Sequence, residues 1–272
     1  MSDGPTVLHV APHCDDELIG APATLLALRD RGWRVVNLVC SLGAAGQQQR
    51  RRSEVEAACQ RARFELDVLE ELLGDPLDAD EARQGAAAVE RGVERLLQRE
   101  QPALLIAPSP HDRHRGHEVV GRGVLAALAT LAGADPAPPL WLWGLWADLP
   151  LPTLAVGFDQ DYMDEIVEAL AAHAGELERN DYRRLVQGRA TMNASLGPER
   201  VFGFGSAAGQ WPYVELLCEV VFHRGQWRAG MPRWLDPARP LAEPGEVDVD
   251  AWLTGASVTD RFGPPPLGGH PA

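Results

Sequence analysis

The chain has 272 residues, of which 45% are hydrophobic and 24% charged, and its 39 acidic and 25 basic residues give a formal net charge of -14. That length suits one large α/β domain, or a main domain with a small appendage. A charge this negative offers no attraction to phosphate backbones or anionic lipid, which sets nucleic-acid partners aside.

The first residues, MSDGPTVLHVAPH, lack a basic start followed by a signal-type apolar stretch, and the runs TVLHVA and ALLIAP are far too short to span a bilayer. The expectation is a cytoplasmic protein without stable membrane insertion. The four cysteines, Cys14, Cys40, Cys59 and Cys218, show no short paired spacing, which argues against a zinc knuckle or a CxxC redox site and for reduced thiols.

Residues 1–150 alternate short apolar runs with longer amphipathic segments, the pattern of βα units around a parallel sheet. Thr6–Ala11 is predicted as a strand and Glu17–Arg31 as a helix ended by Gly32. Arg34–Cys40 is a β-branched, buried strand, Gln49–Arg63 a charged helix and Phe64–Leu69 a weaker strand. Asp80–Arg99 is the clearest helix, because Ala86, Val89, Val93, Leu96 and Leu97 recur at helical spacing. Ala103–Ala107 makes a fourth strand, His117–Ala132 a helix, and Leu140–Trp146 a fifth strand whose tryptophans are read as core. The fold class is therefore α/β: a Rossmann-like, mostly parallel sheet flanked by helices.

Beyond Pro150 the pattern changes, and residues 151–272 are read as a smaller α/β or irregular extension that shapes the mouth of a substrate site. Helical stretches are expected over Gln160–Glu176 and Glu178–Asn193, then a glycine-rich turn over 203–209. Tyr213–His223 fits a strand or a helix, and from Gly230 onward frequent Pro and Gly predict an irregular arm with a mobile end. Trp211, Trp227 and Trp234 are read as core or loop packing rather than pocket lining, His173 as a surface helix residue, and His223 and His270 as lacking suitable neighbours. Gly203-x-Gly205 is half of a dinucleotide fingerprint, without the helix and glycine that give it meaning.

Two segments carry chemistry, and each follows a predicted strand: Ala11-Pro12-His13-Cys14-Asp15-Asp16-Glu17 and Asp112-Arg113-His114-Arg115-Gly116-His117. In open parallel sheets, ligand sites form at carboxyl strand ends where consecutive connections diverge, and strands one and four flank such a point in the common doubly wound orders. A catalytic zinc needs three protein ligands and an open position. His13 and Asp16 lie three apart across a strand-to-helix turn, and a histidine of the second segment completes the set. Asp15 is left as a general base, and the other histidine stabilises an oxyanion or protonates a leaving amine.

PHCDDE resembles the PHxDDE signature of the LmbE/PIG-L family of zinc N-deacetylases, and DRHRGHEVVG resembles that family's D-x-H-x-D-H-x-x-x-G. Ser41–Gly43 and Arg51-x-x-Glu54 add weaker likeness. The resemblance covers about the first 125 residues and implies zinc on His13, Asp16 and His117, Asp15 as general base, and His114 at the tetrahedral intermediate or the departing amine. Arg51 falls where the family places a substrate-contacting arginine; a solvated helix charge is the alternative. The sequence departs from the family at Gly116, where an aspartate usually precedes the last ligand. That leaves the protonation state of His114 open. His111 is out of register with the motif and reads as a loop histidine, and Cys14 reads as packing.

The implied substrate is a small-molecule N-acetylated amino-sugar conjugate. Length, composition and the tryptophan-bearing second half resemble the glycopeptide antibiotic pseudoaglycone deacetylases, with a mycothiol-pathway or other small N-acetylglucosamine conjugate as the alternative. From another class, a non-haem iron oxygenase also uses two histidines and a carboxylate, but commonly as His-x-Asp on an all-β scaffold. A metal-free nucleotide-binding module would need a glycine-rich loop where this chain has acids. No oligomeric state is assigned.

Overall fold

The computed structural model describes residues 4–74, 77–131, 137–207, 209–242 and 244–256. In chain order the elements are β1 (Thr6–Ala11), α1 (Asp16–Ile19), α2 (Pro22–Asp30), β2 (Arg34–Val39), α3 (Gln48–Ala62), β3 (Glu65–Val68), α4 (Ala79–Glu100), β4 (Leu104–Pro108), α5 (Arg115–Thr130) and β5 (Leu140–Trp143). They continue with β6 (Leu154–Phe158), α6 (Gln160–Leu170), α7 (Ala174–Arg179), α8 (Tyr182–Phe202), β7 (Tyr213–His223), β8 (Gln226–Gly230), β9 (Arg233–Trp234), β10 (Pro244–Asp248) and α9 (Asp250–Leu253).

The sheet runs β10-β8-β7-β5-β4-β1-β2-β3, with β6 paired to β7 and β9 to β6. The five strands of the first half are mutually parallel. β7 joins β5 antiparallel, so the second half extends the same sheet. The strands read as continuous apolar runs because both faces are buried. Val7 and Ala11 of β1 face a core shared with α2, α3 and α6, whereas Leu8 and Val10 face one shared with α4 and α5. α4 starts with a capping box, its Asp78 side chain accepting from the Asp80 and Glu81 backbone amides while Glu81 reaches back to the Asp78 amide.

Several expected elements differ. The helix predicted over Glu17–Arg31 is two helices, broken at Gly20–Ala21 with Pro22 as first residue of the second. The fifth strand ends at Trp143: Trp141 and Trp143 are fully buried, but Trp146 is 48% exposed on a loop. β6 falls before Gln160, where no element is expected, and the two expected helical stretches divide differently, into α6, α7 and an α8 that runs nine residues beyond the expected end at Asn193. Tyr213–His223 is a strand, and the arm expected from Gly230 contains β9, β10 and α9. Its last ten residues and His270 lie outside the described residues. Trp227 is core, Trp234 partly buried against a small apolar cluster, and Trp211 38% exposed. Among the described residues no helix is long and apolar enough to cross a membrane.

Candidate functional site

β1 pairs with β2 on one side and with β4 on the other, so the connections leaving β1 and β4 diverge at their carboxyl ends. The loops that follow these two strands bring His13, Asp15, Asp16, His114 and His117 together. Asp16 opens α1, and the His13 backbone amide donates to Asp16 Oδ2 at 2.8 Å, which closes the turn. The second loop kinks at Arg113, whose φ of 60° is left-handed, and the Arg113 amide donates to Glu118 Oε1 at 3.0 Å. This strained residue separates Asp112 from His114, so the two side chains serve different parts of the site.

Asp16 Oδ2 lies 3.1 Å from His13 Nδ1 and 3.6 Å from His117 Nε2. Ligands about 2.0–2.1 Å from a tetrahedral zinc stand about 3.4 Å apart, so these two separations fit a zinc ion without rearrangement. His13, His114 and His117 also offer ligand atoms within 4.8 Å of one another. Both sets share His13 and His117. Asp16 and His117 are each 1% exposed. Burial works against the charge on Asp16, but His117 and His13 hold its carboxyl well below the usual carboxylate range, so it is an anion ready to bind a cation.

Asp112 has no role in the sequence reading, yet it organises the second loop. Its side chain is wholly buried; Oδ2 accepts from His117 Nδ1 at 2.8 Å, and Oδ1 accepts the backbone amides of Leu145, Trp146 and Ala147 at 2.7, 3.1 and 3.1 Å. The first bond places a hydrogen on Nδ1 and leaves Nε2 of His117 as a lone-pair donor facing Asp16, the tautomer a metal requires. The other three tie the loop after β5 to the same carboxylate. The motif carried the signal, since Asp112 opens the second segment.

His114 is packed edge-on to His13 with ring centroids 4.9 Å apart and lies 4.7 Å from His117. Burial, with the neighbouring His117 and His13, pushes its imidazole down to about 3, so it is neutral. Its Nδ1 is buried without a hydrogen-bond partner among the described residues. A Cβ at Gly116 would sit 3.0 Å from His13 Nε2 and 3.4 Å from His114 Nδ1. The glycine thus lets the two histidines close on one another, and the orphaned Nδ1 faces the place where the family's aspartate side chain would start. Trp146 stacks on the His114 ring at 5.9 Å and 27°.

Asp15 is 6% exposed, and burial together with the adjacent Asp16 raises its carboxyl to about 6. Behind it the second half of the chain closes the site. His173 is wholly buried rather than on a helix surface, and its Nε2 pairs with Glu17 Oε1 at 2.7 Å. Glu176 Oε1 pairs with Arg51 Nη2 at 2.7 Å, so Arg51, 9% exposed, is not a solvated helix charge. Arg179 then bonds Glu176 at 3.0 Å and the Tyr182 hydroxyl at 2.6 Å. Residues 173, 176 and 179 share one side of α7 by their spacing of three. Sequence spacing missed all three because their partners lie far away in the chain.

His111 is held away from the cluster: its Nε2 donates to the Trp252 carbonyl, and its ring stacks on Trp252. Cys14 is core, and all four cysteines are free and buried.

Residues 8–128 match the PIG-L family model, described as GlcNAc-PI de-N-acetylase. No curated protein matches the chain. Among solved structures, it is similar to the 4-carboxy-2-hydroxymuconate hydratase GalB of Pseudomonas putida, with 18% identity over 79% of this chain and 95% of that one and a TM-score of 0.61. It is similar to a deacetylase of the antimicrobial A40926 pseudoaglycone, at 19% identity, 79% and 96% coverage and a TM-score of 0.59. The N,N'-diacetylchitobiose deacetylase of Pyrococcus horikoshii gives 17% identity, 80% and 84% coverage and a TM-score of 0.59. These structures share the fold. Over residues 8–128, which hold all six candidate side chains, the chain thus carries the sequence pattern of the PIG-L family, on that family's mixed α/β fold.

Proposed function

We propose that the protein is a zinc-dependent N-deacetylase that removes acetyl from an N-acetylglucosaminyl conjugate, with a glycopeptide antibiotic pseudoaglycone as the first substrate to test. The observation that carries this reading is the Asp16 carboxylate set between His13 and His117 with Asp15 beside it, at the carboxyl ends of β1 and β4. His13, Asp16 and His117 would hold the metal. When bound there, zinc lowers the pKa of a water and polarises an acyl carbonyl. Asp15 takes the proton of the attacking water. Neutral His114 donates an N–H to the carbonyl oxygen as the carbon becomes tetrahedral. The C–N bond then breaks, Asp15 returns its proton to the nitrogen, and acetate and a free amine leave. Arg51, anchored by Glu176, would contact the sugar. Free, buried cysteines are consistent with a reducing, cytoplasmic setting.

A hydratase shares this fold, so fold alone does not choose the reaction; the match of residues 8–128 to a de-N-acetylase model favours amide hydrolysis. The test is elemental analysis of purified protein alongside acetate release from N-acetylglucosaminyl substrates. About one zinc per chain is expected, lost in His13→Ala and in Asp16→Ala. Asp15→Asn should keep the metal and lose acetate release by about 10²–10⁴-fold. Metal retained in both ligand variants, or full activity in Asp15→Asn, would sink the assignment. Iron without acetate release would favour the oxygenase.

A further inference from the structure

Among the described residues, the loop between β5 and β6 carries the one large aromatic side chain that touches the site and is still half open. Trp146 lies with part of one face on His114, 5.9 Å between ring centroids, and is 48% exposed. An exposed tryptophan on a mobile loop would mean little, but this loop is fixed from both sides. Asp112 Oδ1 gathers the amides of residues 145, 146 and 147. From the opposite side, Arg189 donates to the carbonyls of Leu145 and Gly144 at 2.8 and 2.9 Å, and Arg200 donates to that of Leu149 at 2.8 Å. None of these contacts uses the indole. The main chain that bears the ring is therefore fixed by these bonds and the indole itself is set by its stack on His114, so its free surface is available with little further ordering. Such preorganisation removes much of the cost of binding.

From this arrangement we infer that Trp146 is a specificity-determining platform for a second ring of the substrate, joined to the N-acetylated unit. The inference rests on the deacetylase reading. Distance sets which ring it meets. His114 faces the reacting acyl group, and a ring stacked on the outer side of Trp146 would lie a further ~4.5–7 Å away. That is about one ring beyond the unit that carries the acetamide. A ring on that outer side is thus the second unit of a conjugate rather than the one that carries the acetamide. The chemistry recognised is a flat C–H or π face, which a second pyranose or an aryl aglycone both supply.

The test compares kcat/KM for N-acetylglucosamine, N,N'-diacetylchitobiose and 4-nitrophenyl N-acetyl-β-glucosaminide in wild type, Trp146→Phe, Trp146→Leu and Trp146→Ala. The wild-type enzyme should prefer at least one two-ring substrate to the monosaccharide. Trp146→Ala should lower that preference about tenfold, as should Trp146→Leu, which keeps apolar bulk but not a flat face. Trp146→Phe should retain most of it. Using the ratio removes any effect on turnover common to all three substrates, such as a shift of His114. The substrate losing more identifies the second ring as sugar or aryl. An unchanged ratio in Trp146→Ala overturns the platform. Calorimetry with the 4-nitrophenyl glycoside separates the two readings: binding that depends on Trp146 without any acetate release would sink the deacetylase and leave the platform standing, whereas equal binding in wild type and Trp146→Ala would sink the platform.

Discussion

Replacing Asp112 by asparagine exchanges one carboxylate oxygen for an NH2 group at the centre of the site and tests how His117, the proposed metal ligand, is set. In the native protein one carboxylate oxygen accepts three backbone amides and the other accepts His117 Nδ1–H at 2.8 Å. Asparagine has a single carbonyl oxygen. Three converging N–H donors hold that oxygen, so the new NH2 group must face His117. Two donors then meet at hydrogen-bond distance, and the contact is relieved only if His117 moves its hydrogen to Nε2. That atom lies 3.6 Å from Asp16 Oδ2, on the side where a metal would bind, and an N–H there cannot ligate. Loss of such an orienting partner typically weakens metal binding 10–100-fold, which is about 1.4–2.7 kcal/mol. Competition of the purified protein with a chromophoric chelator for zinc reads this directly, without reference to turnover. Because the three loop amides keep their acceptor, thermal unfolding of the metal-free variant should shift by only a few degrees. A zinc affinity within threefold of wild type would refute the reasoning, since it would mean that Asp112 does not set the tautomer of His117.

Three further outcomes follow from buried groups. His9 is wholly buried against Asn37, and burial lowers its imidazole to about 4, so the unfolded chain binds its proton first; stability from this residue is complete above pH 6.5 and is lost as pH falls toward 4, amounting to about 2 kcal/mol between pH 7 and pH 5. Denaturant unfolding of His9→Gln should show a pH dependence flatter than wild type by about that amount, and an identical slope would count against it. His173→Ala leaves the wholly buried Glu17 without its partner and should cost about 3–5 kcal/mol, much of it recovered in the double variant with Glu17→Gln; strictly additive losses in that cycle would exclude the coupling. Gly116→Asp should give His114 Nδ1 a carboxylate partner, after His13 yields a few tenths of an ångström, and raise the His114 pKa by at least one unit in an NMR titration; an unchanged value would show that the side chain cannot reach.

The parallel half of the fold was legible because its signals are local. β1, β2 and β4 are apolar runs of strand length, and α4 repeats apolar residues at helical spacing after a capping box. The two histidine-bearing segments were legible for the same reason: each is a short run at a strand end. Even the break before Pro22 was written locally, as a proline at a helix start, and was passed over because apolar residues continue through it. What could not be read depends on partners far away in sequence. His173 looks like a polar position in a mixed helix, yet it meets Glu17 156 residues earlier. Trp146 sits in a run that alternates like a strand, and only Asp112 drawing three amides out of the ladder ends that strand at Trp143. α8 carries Gly188, Gly197 and Pro198 and lacks a clear apolar face, so its length is set by packing rather than by propensity.

The second half of the chain packs directly around the candidate site and extends the same sheet. Three buried acids and bases make this concrete. Glu17, in the turn that carries Asp15 and Asp16, is satisfied by His173. Arg51 is paired by Glu176. Glu215 of β7 reaches the start of α2, where its two oxygens accept the Ala23 and Thr24 amides and the Thr24 hydroxyl at 2.7–2.8 Å. An acid at that position complements the positive end of the helix that follows the Asp15–Asp16 turn, even though burial pushes its carboxyl up to about 7. Each pair would be costly to bury with one partner missing. The turn holding Asp15 and Asp16 is thus held at Glu17, and the start of α2 and Arg51 of α3 are likewise tied to residues from beyond position 170, while Arg189 and Arg200 of α8 fix the loop that bears Trp146. The part that matches the family model holds the candidate site residues, and the other half buttresses the loops that carry them. On the proposed deacetylase reading, substrate choice is therefore most open to change in the second half, where a substitution can reshape the approach to the site without touching His13, Asp16 or His117.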